Sequence, residues 1–248
     1  MKHRIIPVVL YDGTTVVKGK TFRNDRTIGS VEAIANLYAK RRPDEILFLD
    51  ITATGEDRSP NFEIFEYFAS KFDVPFGVGG GIKTVRDAKR CISNGAEKIV
   101  LGTIAAENPT LITEISNELG SQAVVVSIDT HDNFVFKCSG KVSSGKRVLD
   151  FVQEVEKLGA GEILLQDITR DGTLKGLNLN RLIEVLKVTK IPVIVSGGVG
   201  KQEHFLEAFR LGASGVGAGA FFQFTQFTPN QVAWYLKGQG LNVRTQSS

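Results

Sequence analysis

The sequence is poor in the features that mark secreted, membrane or nucleic-acid-binding chains. Of its 248 residues only Cys91 and Cys138 are cysteine. Two thiols make no disulfide framework at this length, which points to a reducing, cytoplasmic setting. There is no lysine- or arginine-rich run. The densest spot, Lys40-Arg41-Arg42, closes a helical pattern, where cations favour the carbonyl end of the helix dipole. A net charge of +3 carries no signature of a nucleic-acid partner. No apolar stretch is long enough to span a bilayer. The run Ile5–Leu10 contains Pro7, lacks a cleavage-like site and is too short for a signal peptide, so it reads as a strand. No metal-ligand cluster, nucleotide-binding glycine loop or nucleophile triad is apparent, so no metal or cofactor is expected.

What is present is a soluble globular composition, 42% hydrophobic and 23% charged. Short apolar runs alternate with longer amphipathic ones. Strands are predicted at Ile5–Leu10, Ile46–Asp50, Phe76–Val78, Ile99–Leu101, Ala123–Asp129, Ile163–Gln166, Pro192–Val195 and Gly215–Ala218. Helical patterns lie between them; one carries Phe62, Phe65, Phe68 and Phe72 at helix spacing. Ser59, Asn108 and Thr228, each before a proline, read as helix starts. The tail after Arg244 is polar and is expected to fray.

An internal repeat narrows the fold further. Glu45-Ile46-Leu47 recurs as Glu162-Ile163-Leu164, Asp50-Ile51-Thr52 as Asp167-Ile168-Thr169, and Gly80-Gly81 as Gly197-Gly198. Gly55 matches Gly172, and Gly102 matches Gly219, always at an offset of 117 residues. The pattern predicts one domain over 1–248, an α/β (β/α)8 (TIM) barrel made of two duplicated (β/α)4 halves, about 1–119 and 120–240.

In such a barrel the C-terminal strand ends carry the chemistry. Glycine clusters follow the third, fourth, seventh and eighth strands. Gly80, Gly81, Gly102 and Thr103 on one side, with Ser196, Gly197, Gly198 and Gly219 on the other, are candidate phosphate-binding positions, because glycine lets backbone N–H groups approach an anion. Two such sites across one mouth suit a small molecule phosphorylated at both ends. Asp50, Asp129 and Asp167 close strand runs and are candidate proton-transfer groups or loop caps, with function favoured at Asp129. Asp171 and Gly172 lie in the loop after the sixth strand, within reach of the mouth. His131 is a second proton-transfer candidate or an exposed side chain, and His204 reads as structural. At the opposite strand ends stand Arg4, Glu45, Lys98 and Glu162; pattern alone reads them as surface charge.

Taken together, these segments resemble the cyclase subunit family of imidazole glycerol phosphate synthase. The resemblance runs over nearly the whole chain. It is carried by Arg4-Ile5-Ile6, Val16-Val17-Lys18-Gly19, Phe48-Leu49-Asp50-Ile51-Thr52-Ala53, Val78-Gly79-Gly80-Gly81-Ile82, Arg170-Asp171-Gly172-Thr173 and His204-Phe205-Leu206-Glu207-Ala208-Phe209, among others. It implies a glutaminase partner forming a heterodimer on the N-terminal face. It also implies an ammonia gate at Arg4, Glu45, Lys98 and Glu162, and transit along the barrel axis to a doubly phosphorylated substrate. Asp129 matches one of the family's two catalytic aspartates, and Lys18 its first-loop lysine.

The other aspartate closes the first strand in the family, and Leu10 or Val9 stands there in this chain. Asp12 replaces it only if that strand is shifted by two residues, which keeps the same face. Side-chain donors are also missing: Gly102 stands for an asparagine, Ala220 for a serine, and Gln166-Asp167 for Thr-Ser. Paralogues in bacterial surface-sugar pathways open with Arg-Ile-Ile-Pro and lack the same aspartate; there the barrel is thought to deliver ammonia for acetamidino-sugar formation. Three readings follow: an ammonia-delivering paralogue, a genuine cyclase (a lyase of histidine biosynthesis), and a stand-alone phosphosugar isomerase.

Overall fold

Alternating residues of the strands face two different apolar layers, and this fixes the architecture. In the computed structural model, which describes residues 2–23, 26–71 and 73–246, the elements run as follows. The first part holds β1 (Arg4–Tyr11), β2 (Val16–Val17), β3 (Thr27–Gly29), α1 (Val31–Arg41), β4 (Ile46–Asp50), α2 (Phe62–Ala69), β5 (Phe76–Gly79), α3 (Val85–Ser93), β6 (Lys98–Leu101), α4 (Thr103–Glu107) and α5 (Thr110–Leu119). The second holds β7 (Val124–His131), β8 (Phe134–Lys137), β9 (Val142–Arg147), α6 (Val148–Lys157), β10 (Glu162–Asp167), α7 (Leu179–Val188), β11 (Val193–Ser196), α8 (Gln202–Leu211), β12 (Gly215–Ala218), α9 (Ala220–Phe224) and α10 (Pro229–Gly238).

Eight strands pair in parallel in the order β1-β4-β5-β6-β7-β10-β11-β12, and β12 returns to β1, closing a (β/α)8 barrel with helices between the strands. In β1 the odd positions Ile5, Val9 and Tyr11 join the large outer core beneath the helices. The even positions Ile6 and Val8, with Leu10 against them, join an inner aliphatic layer with Leu47, Leu49, Val100, Val125, Leu164 and Ile194. This two-residue alternation is what lets one strand serve both layers.

Several expectations are corrected. The helix start at Ser59 lies later: Asn61 caps α2, its side chain accepting from the Ile64 N–H at 3.2 Å. Asn108 does not cap α5 with its side chain, which instead accepts from the Thr110 hydroxyl at 2.7 Å. Thr228 does cap α10, in a reciprocal box with Gln231. The tail is tied down as far as Gln246, which exchanges hydrogen bonds of 3.0 and 3.2 Å with Asn230. Phe72 lies outside the described residues. The sequence reading also missed the β8–β9 hairpin, the β2–β3 pair, and the short helices α4 and α9 that follow β6 and β12. Among the described residues no helix is long and apolar enough to cross a membrane.

Candidate functional site

The C-terminal strand ends surround a cavity of about 270 Å³. Its floor is apolar, with Val8, Leu10, Leu49 and Val100 from the inner layer. Its polar wall includes Ser127 and Asp129 of β7, Gln166 of β10 and Ser196 of β11. The turn between β8 and β9 leans over the rim. There Ser139 Oγ donates to the Ile51 carbonyl at 2.6 Å, and the Cys138 N–H donates to Thr103 Oγ1 at 2.8 Å.

Asp129 is the acid that β7 presents to this cavity, which Asp50, Glu107 and Asp171 also line. Burial pushes its carboxyl up to about 7, and the nearby Asp171 charge pushes the same way. Two donors oppose this on Oδ1: Gln166 Nε2 at 3.1 Å and Ser127 Oγ at 3.3 Å. Asp129 is half-buried and lines the cavity. A carboxyl poised near neutral pH suits either giving or taking a proton.

Lys18 also reaches the cavity but is committed elsewhere. It is buried, and its Nζ lies 2.5 Å from Asp171 Oδ2. Asp171 is thus brought to the mouth, as expected. Asp12 is not. The strand is not shifted, because Leu10 pairs with Leu49 and Tyr11 with Asp50. Asp12 lies beyond the strand, its Oδ1 accepting from the N–H groups of Thr14 and Thr15 at 2.9 and 2.7 Å. Its carboxylate closes a turn and does not line the cavity, so the inward position at the end of β1 belongs to Leu10.

Asp50 and Asp167 organise loops. Asp50 Oδ1 accepts from the N–H groups of Thr52 and Ala53 at 3.1 and 3.0 Å. Asp167 Oδ1 accepts from those of Thr169 and Arg170 at 2.9 and 3.2 Å, the same turn 117 residues on. Arg58 grips Asp50 through both oxygens, and Asn178 holds Asp167. His131 is exposed beside Asp132. His204 is buried, its Nδ1 accepting from the Gly200 N–H at 3.0 Å, a structural contact.

The glycine clusters divide. Gly80, Gly81, Gly102 and Thr103 line the cavity. Gly80 has φ +111°, and a Cβ there would lie 2.2 Å from the Asp50 carbonyl oxygen, so only glycine lets this turn sit against β4. On the other side Ser196 and Gly219 line the cavity, whereas Gly172, Gly197 and Gly198 do not and pack against neighbouring backbone instead.

At the other end of the barrel Arg4, Glu45, Lys98 and Glu162 close a ring across the axis. Arg4 Nη1 lies 2.6 Å from Glu45, Lys98 Nζ lies 2.8 Å from both Glu45 and Glu162, and Arg4 also bonds Glu162. Surface charge, the reading that pattern alone favours, is corrected: Glu45 and Glu162 are buried, and each has two cationic partners. Ser127 and Gln166 were not among the candidates. The two-residue alternation of β7 was the available signal, since it puts Ser127 on the face of Asp129.

Fold and cavity define a (β/α)8 barrel with its candidate site at the C-terminal strand ends, where barrel enzymes carry their chemistry. A sequence profile of the family described as "Histidine biosynthesis protein" matches residues 4–228. The chain is 44% identical over 245 residues to the imidazole glycerol phosphate synthase subunit HisF of Thermotoga sp. (strain RQ2), covering 97% of each chain. It is 40% identical over 248 residues to that subunit of Pyrococcus furiosus, covering 98% of this chain and 99% of the relative. With that of Metallosphaera sedula it shares 42% over 247 residues, 98% of each. The chain belongs to the HisF family of histidine biosynthesis proteins.

Proposed function

We propose that this chain is the ammonia-receiving barrel of a glutaminase-dependent pair, delivering ammonia for amidation of a sugar, as in acetamidino-group formation for surface polysaccharide. The observation that carries the reading is that β7 presents Asp129 to the cavity while the corresponding end of β1 presents Leu10. Of the acids lining the cavity, Asp171 is paired with Lys18, Asp50 with Arg58 and Glu107 with Lys137, which leaves Asp129 without a second unpaired acid where a two-acid cyclisation needs a partner, and Asp12 is held in a turn. Ammonia enters at the strand starts, where Arg4, Glu45, Lys98 and Glu162 act as a gate. It passes the aliphatic interior, which offers a neutral molecule no competing hydrogen bonds, and emerges beside Asp129. The two barrel halves, about 1–119 and 120–240, are read as a duplication on the strength of the repeated Asp50 and Asp167 turns. Two unpaired cysteines favour a cytoplasmic setting.

The test is reconstitution with the glutaminase of the same organism. The expected result is a stable heterodimer whose glutamine hydrolysis is stimulated. Separate elution with no stimulation contradicts the reading. A second reading, the genuine cyclase of histidine biosynthesis, is favoured by 40–44% identity to HisF subunits over nearly the full chain. Lys18 and Asp129 at the mouth also support it. In that reading the substrate is the doubly phosphorylated ribulosyl intermediate.

A further inference from the structure

Charge around the cavity is matched at every side chain but one. Asp50 is held by Arg58, Glu107 by Lys137 and Asp171 by Lys18, while Lys83 pairs with Asp57. Asp129 lines the same wall and, among the described residues, is in no ion pair.

The Asp129 carboxylate is also only half used. Oδ1 takes both donors, Gln166 Nε2 at 3.1 Å and Ser127 Oγ at 3.3 Å, and among the described residues nothing donates to Oδ2. Gln166 stands directly across from Asp129 in the register of β7 and β10. Its Nε2 is spent on Asp129 and Ser127, and among the described residues nothing donates to its Oε1, although Gln166 is only 8% exposed. Two adjacent strands therefore bring open oxygen acceptors, one of them anionic, to a single cavity. An acceptor left without a donor in such a wall is costly, a carboxylate most of all.

A ligand that completes this wall carries positive charge and N–H donors. A metal ion does not fit: among the described residues no group of three or more His, Cys, Asp or Glu side chains could hold one. A planar amidinium does fit. It offers two parallel N–H groups, the geometry of a bidentate pair with a carboxylate, and a further N–H for Gln166. Its carbon end is apolar, and the floor opposite is built from Val8, Leu10, Leu49 and Val100. Leu10 makes that floor a surface for a methyl group rather than a second acid.

We propose that the cavity binds an acetamidinium group, the amidine end of an amidated sugar, with its N–H groups on Asp129 and Gln166 and its methyl on the floor at Leu10. The inference rests on the ammonia-delivery reading and deepens it. It seats the group that ammonia builds at the point where ammonia emerges.

Carbon-13 NMR of the labelled Asp129 carboxyl in the full chain tests it, with acetamidinium chloride as the probe. The titration is run at pH 8, above the carboxyl's value of about 7. A saturable shift is expected, with a midpoint on the order of 10 mM for so small a ligand. Formamidinium, which lacks the methyl, is expected to bind about fourfold more weakly, the loss of one buried carbon. Acetamide, the uncharged isostere, should bind at least about tenfold more weakly. Tetramethylammonium chloride at equal ionic strength should leave the carboxyl unmoved. By ligand-observed NMR, Asp129→Asn should weaken acetamidinium at least about tenfold. The proposal is overturned by the absence of a saturable shift, or by acetamide or formamidinium binding as tightly as acetamidinium. An equal response to tetramethylammonium, or an Asp129→Asn chain that binds acetamidinium undiminished, overturns it too. The ligand comparisons need no variant, so they decide even if Asp129→Asn misfolds. Failure here leaves the glutaminase complex and its stimulation standing; loss of that complex leaves these titrations unchanged.

Discussion

The two ends of this barrel bury acids under opposite conditions. At the strand starts burial works to raise the Glu162 pKa, but hydrogen bonds and charges from Arg4 and Lys98 outweigh it, and the carboxyl ends below its ordinary 4.5. At the mouth the same burial acts on Asp129, whose donors Gln166 and Ser127 are uncharged, and the carboxyl rises to about 7. The presence of a cation, not the depth of burial, sets the sign. One end is therefore a ring whose cations hold Glu162 below its ordinary value, and the other an acid able to change state near neutrality.

The comparison breaks most visibly at Glu162. Glu162→Ala leaves Arg4 with Glu45 alone and Lys98 likewise, and is expected to cost about 3 kcal/mol. That lowers Tm by roughly 6–12 °C at pH 7 in thermal unfolding. Because the folded Glu162 pKa lies below its unfolded value near 4.5, its contribution is present above that pH and lost as pH falls through the folded pKa. The Tm gap between the two proteins should narrow in acid.

Asp129→Asn should do the reverse. The folded state binds its proton up to about pH 7, the unfolded state only to about 3.8, so Asp129 costs stability as pH rises between them. The variant is expected to be more stable by about 2–4 kcal/mol at pH 8, with the advantage gone near pH 4. Equal Tm differences at both pH values would contradict this.

A smaller effect sharpens the same contrast. Gln166→Leu removes a donor from the Asp129 carboxylate and should raise its pKa by about one unit, followed by carbon-13 NMR of the labelled carboxyl. Smallest of all, Asp12→Asn should change stability by no more than about 1 kcal/mol and leave glutaminase stimulation unaltered, because the turn keeps an oxygen acceptor.

Much of this was legible in the sequence, for identifiable reasons. The eight barrel strands are short apolar runs separated by amphipathic helices, and the constant repeat offset tied distant segments together. Asp129 was legible because it ends a long β-run, and Asp171 because its loop follows a strand. The β8–β9 hairpin was not, because Val142–Arg147 is largely polar and exposed and carries no burial pattern. The charged ring was legible only through family resemblance: four residues distant in sequence meet because their strands begin at one level of the barrel. The grip of Arg58 on Asp50 had no sequence signal, since it depends on how the 51–60 loop folds back.

The central claim is that the family architecture remains while the two-acid cyclisation does not. It is tested most directly by supplying the purified chain with ammonium and the ribulosyl intermediate, and following imidazole glycerol phosphate. The account predicts no product above the uncatalysed background, even at saturating ammonium. Multiple turnovers to imidazole glycerol phosphate would contradict it and establish the cyclase reading.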